Sequence, residues 1–466
     1  MSLVSLVAGI SVAIVIYGTD PHISMLLGVF IAALVAFKAG YSWTAIQAGM
    51  LQGITNSLQA IVILLIIGIL IGVWILSGVV PVLLYYGLKI LDPTIFLPAT
   101  VVICAITSIA TGTSWGTTGT IGVALMGIGA GLGFPLPIVA GAVLSGAYFG
   151  DKMSPLSDTT NLAPAMAGTD IYTHIRHMIY TSGVAMVLTL IIETVLGLFL
   201  GGGEENLESV QQILAVLEQE FNLNPLLLIP PVLVIGFAWR KAPAIPGITL
   251  GALSAAVLGL LLQGNSYEDL LSAAYSGYTS TTGVDAVDSL LTKGGFTAML
   301  YAISIVICAM MFGGIMEHTN QLKVIVETIL RFATGKSSLI TSTVLTCLGA
   351  NLVLCDQYMA IVMGGRMYAQ AYPERGLHPK NLSRAVEDSA TVTACLVPWN
   401  SGGAYQAATL GVATLAYLPF AFFNWLSPLV TLLFGWFGWT IHPLDEETRQ
   451  RLAAQAAEPV PGSDPA

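Results

Sequence analysis

Long runs of apolar residues recur from one end of the chain to the other. Clear examples are residues 58–77, 178–200 and 415–439. A helix that crosses a bilayer needs about 20 mostly apolar residues, and the chain holds about ten to thirteen candidates, several of them short or broken. The pattern therefore predicts an all-α polytopic membrane protein.

One interior polar stretch divides this pattern near its middle. Residues 203–224 are polar between apolar flanks, and the residues after 441 are charged and then rich in Ala and Pro. We therefore expect a first transmembrane repeat in residues 1–202 and a second in residues 225–441. Residues 203–224 are the expected linker, and residues 442–466 are an expected disordered tail.

Each half contains two polar interruptions, in the same order. In the first half they are residues 110–119 and 150–161, and in the second half they are residues 349–357 and 388–403. The spacing is also similar, since Asp151 follows Thr113 by 38 residues and Asp388 follows Asn351 by 37. Paired interruptions of this kind favour a transporter built from two inverted-topology repeats, with broken helices or re-entrant hairpins.

Composition agrees with a membrane protein and excludes some functions. Hydrophobic residues make up 55% of the chain and charged residues only 9%, whereas a soluble domain carries about 25% charge. The formal net charge of −10 comes largely from acids in the two polar stretches. No basic stripe is present, so nucleic-acid binding is excluded.

The interruptions are the predicted site because a broken helix exposes carbonyl groups at membrane depth. Such backbone is tolerated only when it packs in protein or lines a wet cavity. Its carbonyl and hydroxyl oxygens are ligands for a small cation. An Asp there costs roughly 2.5–3.5 kcal/mol, which a bound cation or a proton offsets, so competition between the two for buried carboxylates couples their fluxes.

Four aspartates are the charged candidates. Asp158 is the first choice because oxygen donors surround it, the alternative being a helix cap. Asp151 adjoins Lys152, so a ligand role and an ion pair are both open. In the second half we expect Asp388 or Asp356. Asp388 is preferred to its neighbour Glu387, since adjacent helical residues point about 100° apart and the polar run follows Asp388.

Neutral side chains complete the predicted cation and proton site. They are Ser157, Thr159, Asn161, Thr113, Ser114, Asn351, Asn400 and Ser401. Outside these segments, Glu193 is a lone acid in an apolar run, and His174 and His177 lie in a predicted loop.

The segment GDKMSPLSDTTN at residues 150–161 resembles the signature of the NhaC-type sodium/proton antiporters. Residues 108–119 and 397–400 are similar to that family too, and the resemblance covers about residues 1–440. It implies an exchanger in the cell inner membrane that moves Na⁺ or Li⁺ against H⁺ by alternating access, in contact with the lipid bilayer and without a cofactor. It also implies a homodimer. Asp158 and Asp388 are the expected direct contacts of Na⁺.

Within the same family, some members resemble Na⁺-coupled exchangers of carboxylates such as malate and lactate, which stays open as the alternative. A small carboxylate would need positive charge, and Lys152 or Arg384 would supply it. A channel is less favoured because its pore tends to offer rings of one ligand type. No HExxH motif is present, and no GxSxG or paired Ser/Lys arrangement lies in a suitable setting, so we do not expect an enzyme.

Overall fold

The computed structural model describes residues 2–450, except residues 12, 14–15, 18, 201–203, 241–242, 323 and 325–334. Within this part of the chain the regular structure is helical, and the only β pairing consists of two isolated bridges. The predicted all-α polytopic membrane fold is confirmed.

The described residues form 23 α-helices, which we number in chain order. The helices before and within the polar linker are α1 (Ser2–Ser11), α2 (His22–Lys38), α3 (Trp43–Leu76), α4 (Val79–Ile90), α5 (Pro93–Thr111), α6 (Ser114–Thr117), α7 (Val123–Gly131), α8 (Leu136–Met153), α9 (Asp158–Ala167), α10 (Ile171–Leu200) and α11 (Glu204–Glu220). The remaining helices are α12 (Ile229–Trp239), α13 (Ala244–Leu258), α14 (Tyr267–Ser276), α15 (Asp285–Leu291), α16 (Leu300–His318), α17 (Lys336–Val353), α18 (Gln357–Tyr368), α19 (Ala371–Glu374), α20 (Pro379–Val386), α21 (Ser401–Leu410), α22 (Thr414–Tyr417) and α23 (Phe422–Phe437).

Short π-helical and 3₁₀-helical segments join some of these helices. The π-helical segments are Thr118–Gly122, Gly259–Gln263 and Glu387–Thr391. The 3₁₀ segments are Pro225–Leu228, Thr297–Met299, Ala394–Leu396 and Leu418–Phe420.

Among the described residues, five helical stretches are long and apolar enough to cross a bilayer, and up to seven if each of two bent helix pairs counts as one span. The five are Trp43–Leu76, Pro93–Thr111, Ile171–Leu200, Ile245–Gln263 and Thr297–His318. The sequence offered about ten to thirteen candidates by apolar length. The difference arises because several apolar runs are divided at polar residues, so each piece falls short of a full span.

Helices are interrupted at all four places where the sequence predicts a break. In the first half, α5 ends at Gly112, whose φ is +70°, and residues 154–157 separate α8 from α9. In the second half, α17 gives way to α18 beside Cys355, whose φ is +58°. A π turn and a 3₁₀ turn then lead from α20 towards α21.

The two halves contact each other reciprocally through these broken segments. Helix α9, which follows the second break of the first half, packs on α18, which follows the first break of the second half. Conversely, the segment after the first break contacts α21. There the Tyr405 hydroxyl donates to the Trp115 carbonyl oxygen at 2.7 Å, and the two rings stack with centroids 4.2 Å apart.

The polar linker contains α11, which packs against α4 and α7 through buried Val210, Ile213 and Leu217. At the other end of the second half, the chain continues past residue 441 in contact with the fold. The His442 amide donates to Asn381 Oδ1 at 3.1 Å. Residues 451–466, most of the expected disordered tail, lie outside the described residues.

Helices α3 and α16 approach closely because glycines line their contact. A Cβ atom on Gly53 would lie 2.0 Å from the Met310 carbonyl oxygen, and one on Gly314 would lie 2.2 Å from the Gly49 carbonyl oxygen. Small residues allow such backbone contact between membrane helices.

We predict that Gly53→Ala lowers the melting temperature of the purified protein, since the added methyl group forces α3 and α16 apart. Overpacking of this kind typically costs about 1–3 kcal/mol. Thermal unfolding in detergent, followed by size-exclusion chromatography, measures the change. Gly183→Ala on α10 is the matched control because nothing lies within 4 Å of its added Cβ atom. Equal melting temperatures for the two variants would contradict the prediction.

Candidate functional site

The two breaks of the first half meet at Asp151. Ser114, the first residue of α6, donates from Oγ to Asp151 Oδ2 at 2.6 Å. Thr160 in α9 donates to the Asp151 carbonyl oxygen at 3.1 Å. Asp151 and Ser114 are both buried. The Asp151 carboxylate, at the start of the second break, is therefore held by the Ser114 hydroxyl, which follows the first break.

The second half repeats this arrangement around Asp356. Its side chain caps α18 by accepting from the amides of Tyr358 at 2.9 Å and Met359 at 3.1 Å. Ser401, the first residue of α21, donates from Oγ to Asp356 Oδ2 at 3.0 Å. Asp356 therefore caps α18 and also binds Ser401. We call Asn351, Asp356, Asn400 and Ser401 the Asp356 cluster.

Two asparagines brace the second-half cluster. Asn400 donates to the Asn351 carbonyl oxygen at 2.9 Å and accepts from the Gly402 amide at 3.0 Å, capping α21. Asn351 donates to the Ala390 carbonyl oxygen at 2.7 Å. The structure therefore brings Asn351, Asp356, Asn400 and Ser401 together, as the sequence predicts for one half of the site.

The predicted hydroxyl residues of the first half also lie at helix starts. Thr113 Oγ1 accepts from the Gly116 amide at 3.2 Å and caps α6. Ser157 caps α9, and its Oγ lies 3.0 Å from Thr159 Oγ1, with both side chains buried.

Asp158, which we expected to be a buried ligand, is instead exposed. It is the first residue of α9, and within the described part of the chain its carboxylate receives no hydrogen bond. Ser157, not Asp158, caps α9, and the buried hydroxyl groups next to Asp158 are those of Ser157 and Thr159. Asn161 is also exposed. Its side-chain amide donates to the carbonyl oxygens of Pro155 at 3.0 Å and Ser157 at 2.6 Å, which stabilises the loop before α9.

Lys152 forms a fully buried ion pair with Asp388. The Lys152 ammonium also donates to Ser427 Oγ at 3.2 Å. The second Asp388 oxygen accepts from the hydroxyls of Thr181, at 2.7 Å, and of Thr431. The ion pair between Asp151 and Lys152 that the sequence left open does not form. Asp388, an expected Na⁺ contact, is already fully hydrogen bonded.

Sequence reasoning set aside Glu387, which is completely buried beside this ion pair. Neither carboxylate oxygen has a partner at hydrogen-bonding distance among the described residues, although Lys152 and the hydroxyls of Thr391 and Thr159 lie close to it. Glu387 and Asp388 lie in a π-helical segment of a stretch, residues 381–395, in which every residue is buried. Neighbouring side chains that point in different directions are therefore both buried there.

Arg384 adds a second buried cation. It interacts electrostatically with Asp388, and its Nη1 donates to Thr440 Oγ1 at 2.7 Å. We define the central charge cluster as Asp151, Lys152, Arg384, Glu387 and Asp388. With every member ionised, it holds three carboxylates and two cations, so one negative charge is in excess.

The sequence also singled out three residues outside the predicted site, namely His174, His177 and Glu193. His174 and His177 are buried on α10, which corrects the loop predicted there. His174 Nδ1 lies 2.9 Å from Ser383 Oγ. Glu193 is also buried on α10, and neither of its carboxylate oxygens has a hydrogen-bond partner among the described residues.

Comparison with known sequences identifies the family. The profile of the Na⁺/H⁺ antiporter family matches residues 1–147 and 146–439, which is most of the chain. The chain belongs to the Na⁺/H⁺ antiporter family.

Relatives of this antiporter match along nearly their whole lengths. The Malate-2H(+)/Na(+)-lactate antiporter of Bacillus subtilis is 41% identical, over 93% of this chain and 94% of the relative. The Na(+)/H(+) antiporter NhaC of Alkalihalophilus pseudofirmus is 38% identical, over 93% and 95%. The Arginine/ornithine antiporter ArcD of Halobacterium salinarum is 37% identical, over 98% and 95%. The resemblance to the NhaC-type antiporters is confirmed.

We predict that the buried ion pair of this antiporter is strongly coupled. Lys152→Met or Asp388→Leu alone leaves one charge buried without its partner, which typically costs about 3–5 kcal/mol. The double variant removes both charges, so we expect it to recover much of the loss. Thermal unfolding in detergent of the wild type, both single variants and the double variant measures the coupling.

The exposed pair of Lys89 and Glu218 supplies the control for this cycle. Lys89→Met is expected to change the melting temperature little, because solvent screens an exposed pair. If the effects of Lys152→Met and Asp388→Leu were simply additive, the ion pair would not be coupled as the structure indicates.

Proposed function

We propose that this antiporter exchanges Na⁺ or Li⁺ for H⁺ by alternating access. The observation that carries the proposal is the single excess negative charge of the central charge cluster. A buried charge without a partner costs several kcal/mol, so one monovalent cation should accompany the cluster. A proton and a Na⁺ ion each satisfy that requirement, and their competition couples the two fluxes.

Glu387 is the proposed proton carrier. A buried carboxylate that accepts no hydrogen bond is most stable in its neutral form, and both Glu387 oxygens are in this position. Asp388, in contrast, has an ammonium group and two hydroxyls as donors. Both Asp388 oxygens therefore have hydrogen-bond donors, and we assign the exchangeable proton to Glu387.

Asp151 is the proposed Na⁺ contact. Ser114 and Ser157 lie beside its carboxylate, and Thr159 lies between Ser157 and Glu387. Carboxylate and hydroxyl oxygens are suitable ligands for a hard cation. Entry of Na⁺ at Asp151 would compensate the excess charge and release the proton from Glu387. Exchange by this route involves no cofactor and no covalent step, as expected of a transporter of the cell inner membrane.

Exchange of an organic ion is the second candidate, because relatives are named for malate and lactate and for arginine and ornithine. The buried cations Lys152 and Arg384 would be the groups available to a carboxylate. Lys152, however, already contacts Asp388 and Ser427. A carboxylate would have to displace Asp388, so cation exchange fits the geometry better.

Liposomes that contain the purified protein and a trapped pH dye distinguish these two functions. With an imposed pH gradient, we expect Na⁺ or Li⁺ alone to dissipate the gradient, and K⁺ to have little effect. A response only after addition of malate, lactate or an amino acid would overturn the proposal of cation exchange.

We predict that Glu387→Gln abolishes Na⁺-dependent proton movement in these liposomes, while the protein still folds and inserts. The amide has almost the same shape but cannot release a proton. Glu193→Gln is the matched control, since Glu193 is also a buried glutamate without hydrogen-bond partners among the described residues but lies outside the central charge cluster. Equal loss of exchange in both variants, or in neither, would remove Glu387 from the mechanism.

Asp158 is predicted to assist Na⁺ entry without being essential. Its exposed carboxylate lies within electrostatic reach of Asp151 and attracts cations towards it. We expect Asp158→Asn to raise the Na⁺ concentration for half-maximal exchange a few-fold and to leave the maximal rate unchanged. Asp285→Asn, which alters an exposed carboxylate in the first turn of α15, is the control. Complete loss of exchange in Asp158→Asn would instead make Asp158 a direct ligand.

A further inference from the structure

A cavity of about 190 Å³ lies away from the central charge cluster. Helices α3, α4, α7 and α21 form its walls together with the segment at residues 290–299. Most of the lining is apolar, including Ile75, Leu84 and Met126. The polar side chains in the lining are those of Lys293 and Thr409.

Lys293 is a partly buried cation with no compensating charge among the described residues. Among the described residues, its ammonium forms neither an ion pair nor a hydrogen bond, and burial lowers its pKa below the usual value for lysine. Lys152 is buried with Asp388 as its partner. Burial of a charge without a partner is unfavourable, so an anion beside Lys293 would stabilise it.

The backbone holds Lys293 in place. Its carbonyl oxygen accepts from the Tyr278 amide at 3.1 Å, and the Gly295 amide donates to the Gly68 carbonyl oxygen at 2.7 Å. Gly294 and Gly295 have φ values of +84° and +89°, which a residue with a side chain rarely adopts. The backbone of Lys293 is therefore fixed at the edge of the cavity, and only the side chain remains to be ordered when it binds an anion.

Thr409 gives a second, independent indication of a ligand. Its side chain is 5% exposed, and its hydroxyl has no partner at hydrogen-bonding distance among the described residues, although the Tyr405 hydroxyl lies nearby. A buried hydroxyl without a partner is unfavourable. One carboxylate group would satisfy both polar groups of the cavity, by pairing with Lys293 and accepting from Thr409.

We propose that this cavity binds a small organic monoanion with an apolar body, with its carboxylate on Lys293 and Thr409. An apolar cavity of about 150 Å³ is large enough to hold benzene, so a chain of a few carbon atoms fits the observed volume. A dicarboxylate would place its second charge against apolar walls. The residues that line the cavity are different from those of the central charge cluster.

The cavity is lined by helices from both halves of the protein. It lies against α21, which begins at the Asp356 cluster, and against α7, which follows the first break. An anion there would contact two helices that lead directly to the candidate site.

Equilibrium binding of radiolabelled butyrate to the purified full-length protein in detergent tests the proposal. We expect saturable binding, with butanol and succinate competing at least about tenfold more weakly than unlabelled butyrate. Lys293→Gln should weaken binding by at least about tenfold, the effect of losing a charge-assisted hydrogen bond. Thr409→Val keeps the shape of the side chain and should weaken binding to a smaller extent.

Lys336→Gln, which alters an exposed lysine at the start of α17, is the matched control and should bind butyrate as the wild type does. Thermal unfolding identifies variants that fail to fold. Absence of saturable binding to the wild type, or unchanged affinity in a folded Lys293→Gln or Thr409→Val variant, would overturn the proposal. Na⁺-dependent proton movement is measured separately, so failure of cation exchange and failure of this site are distinguishable.

Discussion

A helix that stops inside a membrane must find partners for its backbone within the protein, because lipid supplies none. Most of the candidate site follows from this constraint. The chain interrupts its helices at four places, and Thr113, Ser157, Asp356 and Asn400 each cap the helix that follows. The capping segments also contact each other across the halves, which brings distant polar residues into one buried region.

The central charge cluster, which lies in this region, contains one more negative than positive charge. Asp388 is fixed by Lys152 and two hydroxyls, and Arg384 lies nearby, but Asp151 and Glu387 share no further cation among the described residues. Where solvent is excluded, such an imbalance is costly, so a mobile cation is required. Exchange then needs only two conformations, each of which opens the site to one side of the membrane. A proton or a Na⁺ ion neutralises the excess charge of the site in each exchange step.

The positions of the interruptions could be predicted from the sequence because Gly, Pro and hydroxyl residues break an apolar run visibly. The partners of the charged residues could not. Lys152 and Asp388 are 236 positions apart, and nothing in either segment indicates the other. The expectation that Asp158 is buried was wrong because burial depends on the direction of the side chain: Ser157 and Thr159 are buried on either side, while Asp158 is exposed. Residues 381–395, which include Glu387 and Asp388, are all buried, and this likewise depends on packing that no pattern in that segment indicates.

The central claim is that one buried negative charge is neutralised by either a proton or Na⁺. Proton release on addition of Na⁺ to the purified protein, in weakly buffered detergent solution with a pH indicator, tests it most directly. The account predicts saturable release of about one proton per Na⁺ bound, because two ions compete for one charge. Saturable Na⁺ binding without proton release would contradict it, since the two ions would then occupy the protein independently.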